Sequence, residues 1–196
     1  MHVAGPGSVV LITGASSGIG RACAVHLAQR GYKVFGTSRR QRSPEISGSA
    51  GGYLEMIQMD VDDDESVTQG IARVLDQEGR IDVVVNNAGF GIAGAVEDTS
   101  LDEAKAQFET NFFGVLRVCK AVLPIMRAQG AGYIVNVSSM GGRIAQPFVA
   151  LYSASKFAVE GLTEALRMEV KAFGIHVVLI EPGDLHTGFT AVSYTH

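Results

Sequence analysis

The sequence predicts an α/β fold, with a doubly wound parallel sheet between two layers of helices. Six short apolar segments alternate along the chain with four segments of helical periodicity, which is the order of right-handed βαβ units. The apolar segments are rich in β-branched residues and lack polar alternation, as expected for strands buried on both faces. A polar or glycine-rich motif follows each strand, and ligands bind at that end of the strands in such sheets.

The individual elements follow from these patterns. Strands are predicted at about residues 8–12, 33–37, 53–59, 81–85, 132–137 and 175–180. Helices are predicted at about residues 21–30, 64–77, 101–129 and 148–173. Pro124 should kink or divide the third helix, because proline removes a backbone donor and clashes with the preceding turn.

Composition limits the class of protein. The 196 residues fit one domain, and 46% apolar with 18% charged residues indicates a globular chain. The net charge of -4 argues against nucleic acid as the main partner. Cys23 and Cys119 have neither disulfide nor metal-ligand spacing and are expected to be buried free thiols, so no metal site is predicted. The first apolar segment is too short for a signal peptide or a membrane span, and a cytoplasmic protein is expected.

The first strand leads into a glycine-rich turn, Thr13 to Gly20, and a helix follows. This order places backbone N–H groups and the positive end of a helix against a phosphate. Gly14 would allow a tight turn, Gly18 a close approach to a pyrophosphate, and Gly20 a close contact between helix and strand. Taken alone, the turn also fits an ordinary connection between a strand and a helix.

Tyr152 and Lys156 are one turn apart on a predicted helix and project from the same face. An ammonium near a phenol lowers the pKa of the phenol, and such a tyrosine exchanges protons with an alcohol or an alkoxide. Ser139, at the end of the fifth strand, could donate a hydrogen bond to a carbonyl oxygen. Asn111 interrupts a predicted helix and could hold a water next to Lys156. Alone, the tyrosine and lysine also fit an exposed surface pair.

These motifs together resemble the classical short-chain dehydrogenase/reductase family from about residue 8 to residue 190. Each motif alone is weak, whereas their order and spacing as a set are specific. The motifs are Thr13-Gly14-x-x-x-Gly18-x-Gly20, Asn86-Asn87-Ala88-Gly89, Asn111, Ser139, Tyr152-x-x-x-Lys156 and Pro182-Gly183-x-x-x-Thr187.

The resemblance implies a Rossmann-type NAD(P)-binding domain over residues 1–196, with a leader at 1–7. Tyr152 would be the general acid and base, and Lys156 would hold the nicotinamide ribose and lower the pKa of Tyr152. Ser139 would orient the substrate carbonyl, and Asn111 would complete a proton relay. The implied nucleotide-binding residues are Gly14, Ser16, Ser17, Gly18, Ile19, Gly20, Ser38, Arg39, Arg40, Asp60, Val61, Asn87, Ala88, Gly89, Tyr152, Lys156, Pro182, Gly183 and Thr187.

The residues after the second strand favour NADP as the cofactor. An NAD site usually offers a carboxylate to the ribose 2′-hydroxyl here, but this chain has Ser38, Arg39 and Arg40. A guanidinium can bind a 2′-phosphate through two hydrogen bonds. A solvated basic loop is the alternative explanation of the arginines. By the resemblance, Asp60 would accept from the adenine amino group and Val61 would pack on the ring.

The chain departs from the family pattern at its end, because members usually continue beyond the last motif. The substrate lid would begin near residue 184 and is expected to be cut off at 196. A further helix and a seventh strand would also be missing, which would leave the sixth strand as an exposed edge. A truncated or incompletely observed chain is the favoured explanation.

The predicted activity is hydride transfer between NADPH and a carbonyl or secondary alcohol. Segments 34–39 and 87–94 and Phe148 are similar to members that act on steroid- or retinol-type substrates. A dinucleotide-binding sensor without turnover is the alternative, and a sugar-nucleotide epimerase ranks below it because of the glycine spacing.

The resemblance implies a homodimer or homotetramer through helices 101–129 and 148–173. The phenylalanines that fit such an interface, although packing within one chain explains them equally well, are Phe112, Phe113, Phe157 and Phe173.

Overall fold

The central sheet of the computed structural model contains six parallel strands, and a separate pair of short strands lies beside it. The structure describes residues 4–40, 48, 51–183 and 194–195. The strands are β1 (Val9–Ile12), β2 (Lys33–Ser38), β3 (Tyr53–Gln58), β4 (Val83–Asn86), β5 (Ile92–Ala93), β6 (Gly132–Val137), β7 (Ile175–Ile180) and β8 (Tyr194–Thr195). The central sheet has the order β3-β2-β1-β4-β6-β7, and β5 pairs with β8.

The strand order reverses next to β1, which defines where a ligand can bind. In the central register, Val10 lies opposite Val34 of β2 on one side and Val83 of β4 on the other. The connection after β1 leads to β2 in one direction, and the chain later returns to place β4 on the other side of β1. A crevice therefore opens beyond the carboxyl ends of β1 and β4, the usual ligand position in such sheets.

Both faces of β1 are buried, as its sequence predicted. Val9 and Leu11 belong to the core on one face of the sheet, and Val10 and Ile12 belong to the core on the other face. The alternation follows from the two-residue period of a strand. Helices therefore cover both faces of the sheet at its centre.

In the part of the chain that the structure describes, five α-helices form the two outer layers. They are α1 (Gly18–Gln29), α2 (Asp64–Glu78), α3 (Leu101–Phe108), α4 (Gly114–Gln129) and α5 (Ala150–Val170). One core contains alanines of α1, and the other contains apolar residues of α2, α4 and α5. This three-layer arrangement confirms the predicted Rossmann-type fold class. Within the described residues, no helix is long and apolar enough to cross a membrane.

Local capping explains where two of the helices begin. The Asp63 carboxylate accepts a hydrogen bond of 2.6 Å from the Ser66 amide at the start of α2. At the start of α3, the Ser100 hydroxyl accepts from the Glu103 amide at 3.2 Å, and the Ser100 amide donates to the Glu103 carboxylate at 2.9 Å. These contacts satisfy amide donors that the first helical turn leaves without a partner.

The predicted helix at 101–129 is divided around Asn111, which the sequence indicated as an interruption, and not at Pro124. The α4 helix continues through Pro124, and the interruption is a π-helical turn at Glu109–Phe113. A π-helical turn contains one more residue than an α-helical turn. Within it, the Asn111 side chain lies next to the backbone of Phe90 and forms hydrogen bonds with it. A contact distant in sequence therefore sets the division, while the helix tolerates the single donor missing at Pro124.

The predicted helix at 148–173 begins later, because Phe148 has a left-handed backbone conformation with a φ of 63°.

The strand β7 forms one edge of the sheet, as expected for the sixth strand of the sequence. On one face of β7, Val178 and Ile180 are 42% and 47% exposed. Cys119 is buried as expected, but Cys23 is only partly buried.

Candidate functional site

A cleft of about 760 Å³ opens beyond the carboxyl ends of the central strands, where the sequence predicted a ligand. It brings together residues that are far apart in the chain. The predicted site residues that line it are Gly14, Ser16, Ser17, Gly18, Ile19, Ser38, Arg39, Asp60, Val61, Asn87, Ala88, Gly89, Ser139, Tyr152, Lys156, Pro182 and Gly183. Gly20, Arg40 and Asn111 are not among the lining residues, and Thr187 lies outside the described residues.

The segment 13–20, called the nucleotide turn below, is built around glycines that have no room for side chains. Gly14 and Gly18 have φ angles of 66° and 55°, in the left-handed region. A Cβ on Gly14 would lie 2.8 Å from the Ala88 Cα atom, and one on Gly20 would lie 2.6 Å from the Gly14 oxygen. Gly20 therefore serves the packing of the turn, and Gly14 and Gly18 form the surface of the cleft.

The first turn of α1 offers backbone donors to this cleft. The helix begins at Gly18, and the Ser17 side chain makes no capping hydrogen bond with its first turn. Amides of that turn remain open to an anion, and the helix dipole adds positive potential there. The turn therefore has the geometry and the donors that a pyrophosphate requires.

A small hydrogen-bond network joins the nucleotide turn to the end of β4. The Thr13 hydroxyl accepts from the amides of Asn87 and Ala88, both at 2.9 Å. The Asn87 side-chain amide donates to the backbone oxygens of Thr13 at 2.9 Å and Gly14 at 3.2 Å. The two strand ends are thereby held together on either side of the crevice. The sequence analysis placed Thr13 in the motif but gave no role to its hydroxyl.

At the end of β2, the two arginines have different positions. Arg39 lines the cleft with an exposed side chain, and its backbone oxygen accepts from the Gln58 side chain at 3.1 Å. Arg40 is exposed outside the cleft, and its backbone oxygen accepts from the Ser38 hydroxyl. These hydrogen bonds restrain the backbone of both arginines, and of the two only Arg39 lines the cleft.

The end of β3 forms the neighbouring wall. The Asp62 amide donates to the Asp60 carboxylate at 3.1 Å, which leaves the second carboxylate oxygen of Asp60 for a ligand. Val61 is 6% exposed and packs closely against Gly114, where a Cβ would lie 2.9 Å from a Val61 methyl carbon. Burial raises the pKa of Asp62, while a hydrogen bond from Thr110 and the charge of Arg39 lower it.

Ser139, Tyr152 and Lys156, called the catalytic cluster below, lie together at the other end of the cleft. Ser139 lies two residues after the end of β6, and its hydroxyl accepts from the Gly141 amide at 3.1 Å and shares a hydrogen bond with Tyr152. Lys156 is 5% exposed, and its ammonium donates to the Val137 oxygen at 2.8 Å. The same ammonium lies 5.8 Å from the centre of the Tyr152 ring.

Burial acts in opposite ways on the charges of this cluster. It raises the pKa of Tyr152, against the hydrogen bond with Ser139, which lowers it. Burial also lowers the pKa of Lys156 to about 8, against the negative charge of Glu160, which raises it. Proton exchange by Tyr152 near neutral pH therefore depends on groups that favour its phenolate.

Asn111 lies behind the lining of the cleft, in the π-helical turn. Its side chain is fully buried, accepts from the Phe90 amide at 3.0 Å, and donates to the Phe90 oxygen at 2.9 Å and the Ser155 hydroxyl at 3.0 Å. A Cβ on Gly89 would lie 2.9 Å from the Asn111 side-chain oxygen and 3.7 Å from the Lys156 nitrogen. The two side chains thus approach the same small space beside Gly89.

Sequence reasoning missed Gln107, which holds the same wall of the cleft. Gln107 is fully buried, accepts from the Ile92 amide at 3.1 Å and donates to the Phe90 oxygen. It precedes Asn111 by one helical turn, so both amides bind the segment after β4. In the sequence, Gln107 precedes Asn111 by four residues, and this helical spacing is the signal that could have indicated it.

The last described wall comes from the end of β7. The Met140 amide donates to the Pro182 oxygen at 3.1 Å, and the Ser138 amide donates to the Ile180 oxygen at 2.8 Å. These bonds keep the segment 182–183 beside Ser139. Residues that line the cleft and that the sequence did not indicate include Met59, Thr110, Met140, Gln146 and Val149.

The fold and the position of this site define the Rossmann nucleotide-binding class. Residues 8–196 match the family model described as short chain dehydrogenase, so the chain belongs to that family. It is 49% identical over 182 residues to a 3-ketodihydrosphingosine reductase of Bacteroides thetaiotaomicron, covering 93% of this chain and 65% of the relative. The chain thus spans slightly less than two thirds of the length of that relative.

Two solved structures have the same fold. A short chain dehydrogenase/reductase of Burkholderia phymatum in complex with NAD has a TM-score of 0.86 at 29% identity, covering 95% of this chain and 69% of that one. ElxO with NADP bound has a TM-score of 0.85 at 32% identity, covering 92% of this chain and 75% of that one. Proteins of this fold therefore include NAD and NADP complexes.

Proposed function

We propose that the protein is an NADP(H)-dependent oxidoreductase that interconverts a carbonyl compound and a secondary alcohol. The observation that carries this proposal is the position of the catalytic cluster in the same cleft as the nucleotide turn. A dinucleotide whose pyrophosphate lies on the nucleotide turn would extend along the cleft toward Tyr152. A glycine turn alone would support binding only, whereas the buried Tyr152 and Lys156 supply groups for proton transfer.

Each group of the catalytic cluster has a chemical task in this proposal. The nicotinamide donates or accepts the hydride when it is bound. During reduction, Tyr152 donates its phenolic proton to the carbonyl oxygen as negative charge develops there. The Ser139 hydroxyl donates a hydrogen bond to the same oxygen. The Lys156 ammonium binds the ribose hydroxyls and favours the phenolate that remains, because an opposite charge stabilises it.

Asn111 is proposed to complete the path that returns a proton to Tyr152. Its donors are used by Phe90 and Ser155, but its oxygen has a second lone pair. That oxygen and the Lys156 nitrogen both face the space beside Gly89. A water held between them would connect the buried ammonium to the solvent.

The preference for NADP is supported by the charge at the end of β2. Arg39 presents a guanidinium to the cleft, and the residue before it is Ser38 rather than an acid. A 2′-phosphate would therefore meet a bidentate donor without a repelling carboxylate at that strand end. Asp60 would accept from the adenine amino group with its remaining oxygen, and Val61 would pack on the ring.

A hydrophobic substrate is proposed because apolar side chains surround the catalytic end of the cleft. Phe90, Ile92, Met140 and Val149 line it, and Met140 is 52% exposed. The similarity to a 3-ketodihydrosphingosine reductase agrees with a long apolar substrate. A ketone with an extended apolar chain or ring system is therefore the substrate class to test first.

Self-association is proposed through the helical segments 101–129 and 148–173. Phe113, Phe157 and Phe173 are each 45% exposed, so packing within the described residues leaves much of these rings uncovered. Covering apolar rings of this size is favourable in a dimer or a tetramer. Sedimentation of the purified protein measures the oligomeric state, and a monomer at micromolar concentration contradicts this part of the proposal.

The activity is tested by mixing the protein with NADPH and a set of ketones and following the nicotinamide absorbance. The expected result is oxidation of NADPH with apolar ketones, at a higher kcat/KM than with NADH. Tight binding of NADPH without turnover of any ketone would instead indicate a dinucleotide-binding sensor. Absence of both binding and turnover would contradict the proposal.

A further inference from the structure

Glu160 is a buried carboxylate one helical turn after Lys156 on α5. The residue is 6% exposed, and neither carboxylate oxygen has a hydrogen-bond partner among the described residues. Burying a carboxylate without hydrogen bonds is unfavourable, and proteins tolerate it where positive charges compensate. The proposed chemistry of Tyr152 gives Glu160 no task of its own, so its burial requires another explanation.

The surroundings of Glu160 connect it to the catalytic cluster from two sides. Arg143 approaches from the 3₁₀ turn at 140–142, with its guanidinium 3.7 Å from a Glu160 oxygen. A Cβ on Gly142 would lie 3.2 Å from the other Glu160 oxygen and 2.6 Å from the Ser138 hydroxyl. The residue that precedes Ser139 and the turn that follows it are thus packed against this carboxylate.

Two more polar atoms lie buried in the same region. The hydroxyls of Ser138 and Ser153 have no hydrogen-bond partner among the described residues. Ser138 is adjacent to Ser139 in sequence, and Ser153 is adjacent to Tyr152. Buried polar atoms therefore lie next to the catalytic cluster, and Glu160 is the carboxylate among them.

We propose that Glu160 is a positioning residue that keeps Lys156 protonated and, through Arg143, holds the turn after Ser139 against α5. The proposal rests on the proposed function, because it assigns Glu160 to the ammonium that assists Tyr152. The charged groups around Glu160 are Lys156 on its own helix, Arg143 on the turn, and Glu181 at the end of β7, 3.9 Å from Arg143. Tyr152 is a further titratable neighbour, which is uncharged when protonated and negative when deprotonated.

The electrostatic balance of Lys156 supports this assignment. Its ammonium is nearly inaccessible to solvent and donates to one neutral backbone oxygen, that of Val137. Burial lowers the pKa of Lys156 to about 8, and the Glu160 charge is what opposes this shift. Without that charge, the pKa of Lys156 falls further, and the neutral amine becomes the main form at a lower pH.

The first test is the pH dependence of ketone reduction by Glu160→Gln, which removes the charge and keeps the shape. The alkaline limit of kcat/KM should move to lower pH by about one unit, as expected when an opposite charge at close range is lost. The matched control is Glu164→Gln, one turn later on the same helix and exposed, which should keep the wild-type profile. Glu160→Asp, which retains the charge, should restore most of the wild-type limit.

The second test needs no activity and measures the coupling in urea unfolding at pH 7. Glu160→Gln should lower the unfolding midpoint of the wild-type protein, because Lys156 loses its compensating charge. In a Lys156→Met background the same change should leave the midpoint unchanged or raise it, because the carboxylate there has no ammonium to balance.

The outcomes separate this inference from the proposed function. Equal midpoint shifts in both backgrounds, or a pH profile of Glu160→Gln that matches the wild type, would overturn the role of Glu160. A wild-type protein that binds NADPH without turnover would contradict the proposed function, and the unfolding cycle would still decide the coupling.

Discussion

The nucleotide turn and the catalytic cluster lie at two ends of one cleft, but they are constructed from different parts of the chain. The nucleotide turn depends on backbone: glycines with positive φ, exposed amides and carbonyls that bind Asn87. The catalytic cluster depends on side chains whose properties come from burial, such as the ammonium of Lys156 at 5% exposure. The first is therefore sensitive to added volume and the second to changes in charge or in a single hydroxyl.

This difference also predicts that pH affects the two ends of the cleft differently. No residue of the segment 13–20 titrates, so the nucleotide turn should bind its ligand with little dependence on pH. The catalytic cluster contains two titrating groups whose pKa values burial shifts in opposite directions. Substitutions that damage only one end should consequently separate nucleotide binding from turnover.

The largest expected effect is the loss of turnover in Tyr152→Phe. Removing the phenolic hydroxyl eliminates the general acid, which should reduce kcat by a factor of about 10² to 10⁴. The dissociation constant for NADPH, measured by fluorescence, should stay within about twofold of the wild type, because the nucleotide turn is unchanged. Retention of most of the activity would contradict the assignment of Tyr152.

The complementary substitution is Gly14→Ala, which should damage binding at the other end. The added Cβ would be only 2.8 Å from the Ala88 Cα atom at a φ of 66°. We expect the dissociation constant for NADPH to rise by about tenfold or more, which corresponds to about 1.4 kcal/mol. The left-handed conformation alone costs about 1–2 kcal/mol of stability.

Gly79→Ala is the matched control, because Gly79 has a φ of 71° and no atom within 4 Å of the added Cβ. It should lower the stability through the same backbone cost but leave NADPH affinity unchanged. If both variants bind NADPH like the wild type, close packing of the nucleotide turn is not required for binding.

A smaller effect is expected from Arg39→Ala, which alters the ligand preference and leaves both ends of the cleft intact. Hydrogen bonds to a charged group contribute about 1.5–3 kcal/mol. The ratio of kcat/KM for NADPH to that for NADH should therefore fall by about ten- to a hundredfold. Arg40→Ala is the control, because Arg40 is exposed outside the cleft and should leave the ratio unchanged. An unchanged ratio in Arg39→Ala would mean that Arg39 belongs to a solvated loop.

The sequence was sufficient to predict the sheet and the position of the nucleotide turn, because both depend on local patterns. Apolar β-branched segments without polar alternation and glycines at fixed spacing are properties of neighbouring residues. The doubly wound parallel sheet followed from the alternation of strands and helices, and the structure confirms it. Arg39 and Asp60 could be placed at strand ends for the same reason.

The features that the sequence could not supply are contacts between distant segments. The π-helical turn around Asn111 depends on hydrogen bonds with Phe90, 21 positions away. Pro124 was expected to interrupt the helix, because the local penalty of proline is visible in sequence and the tertiary contacts of Asn111 are not. The burial of Gln107 and Glu160 could not be predicted for the same reason. A polar residue in a helical pattern is expected to be exposed until its neighbours are known.

The last expected effect concerns stability against pH, and it distinguishes the two ends of the cleft because only the catalytic cluster titrates. The pKa of Lys156 is about 8 in the folded protein, below its ordinary value of 10.5. Below pH 8 the lysine is charged in the folded and in the unfolded protein, and burial of this charge destabilises the folded protein. Between these two pKa values the unfolded chain binds more protons than the folded protein, so this group makes the free energy of unfolding rise with pH.

Lys156→Met should lack this rise, which is measured as the difference between its thermal midpoint and that of the wild type from pH 7 to pH 10.5. Gly14→Ala should differ from the wild type by a constant amount over the same range, because no titrating group lies in the nucleotide turn. Ketone reduction should meanwhile decrease as Lys156 loses its proton, so stability and activity should change in opposite directions across one pH range. A wild-type midpoint that follows Lys156→Met in parallel would show that the lysine keeps its ordinary pKa, and that the contrast between the two ends does not extend to protonation.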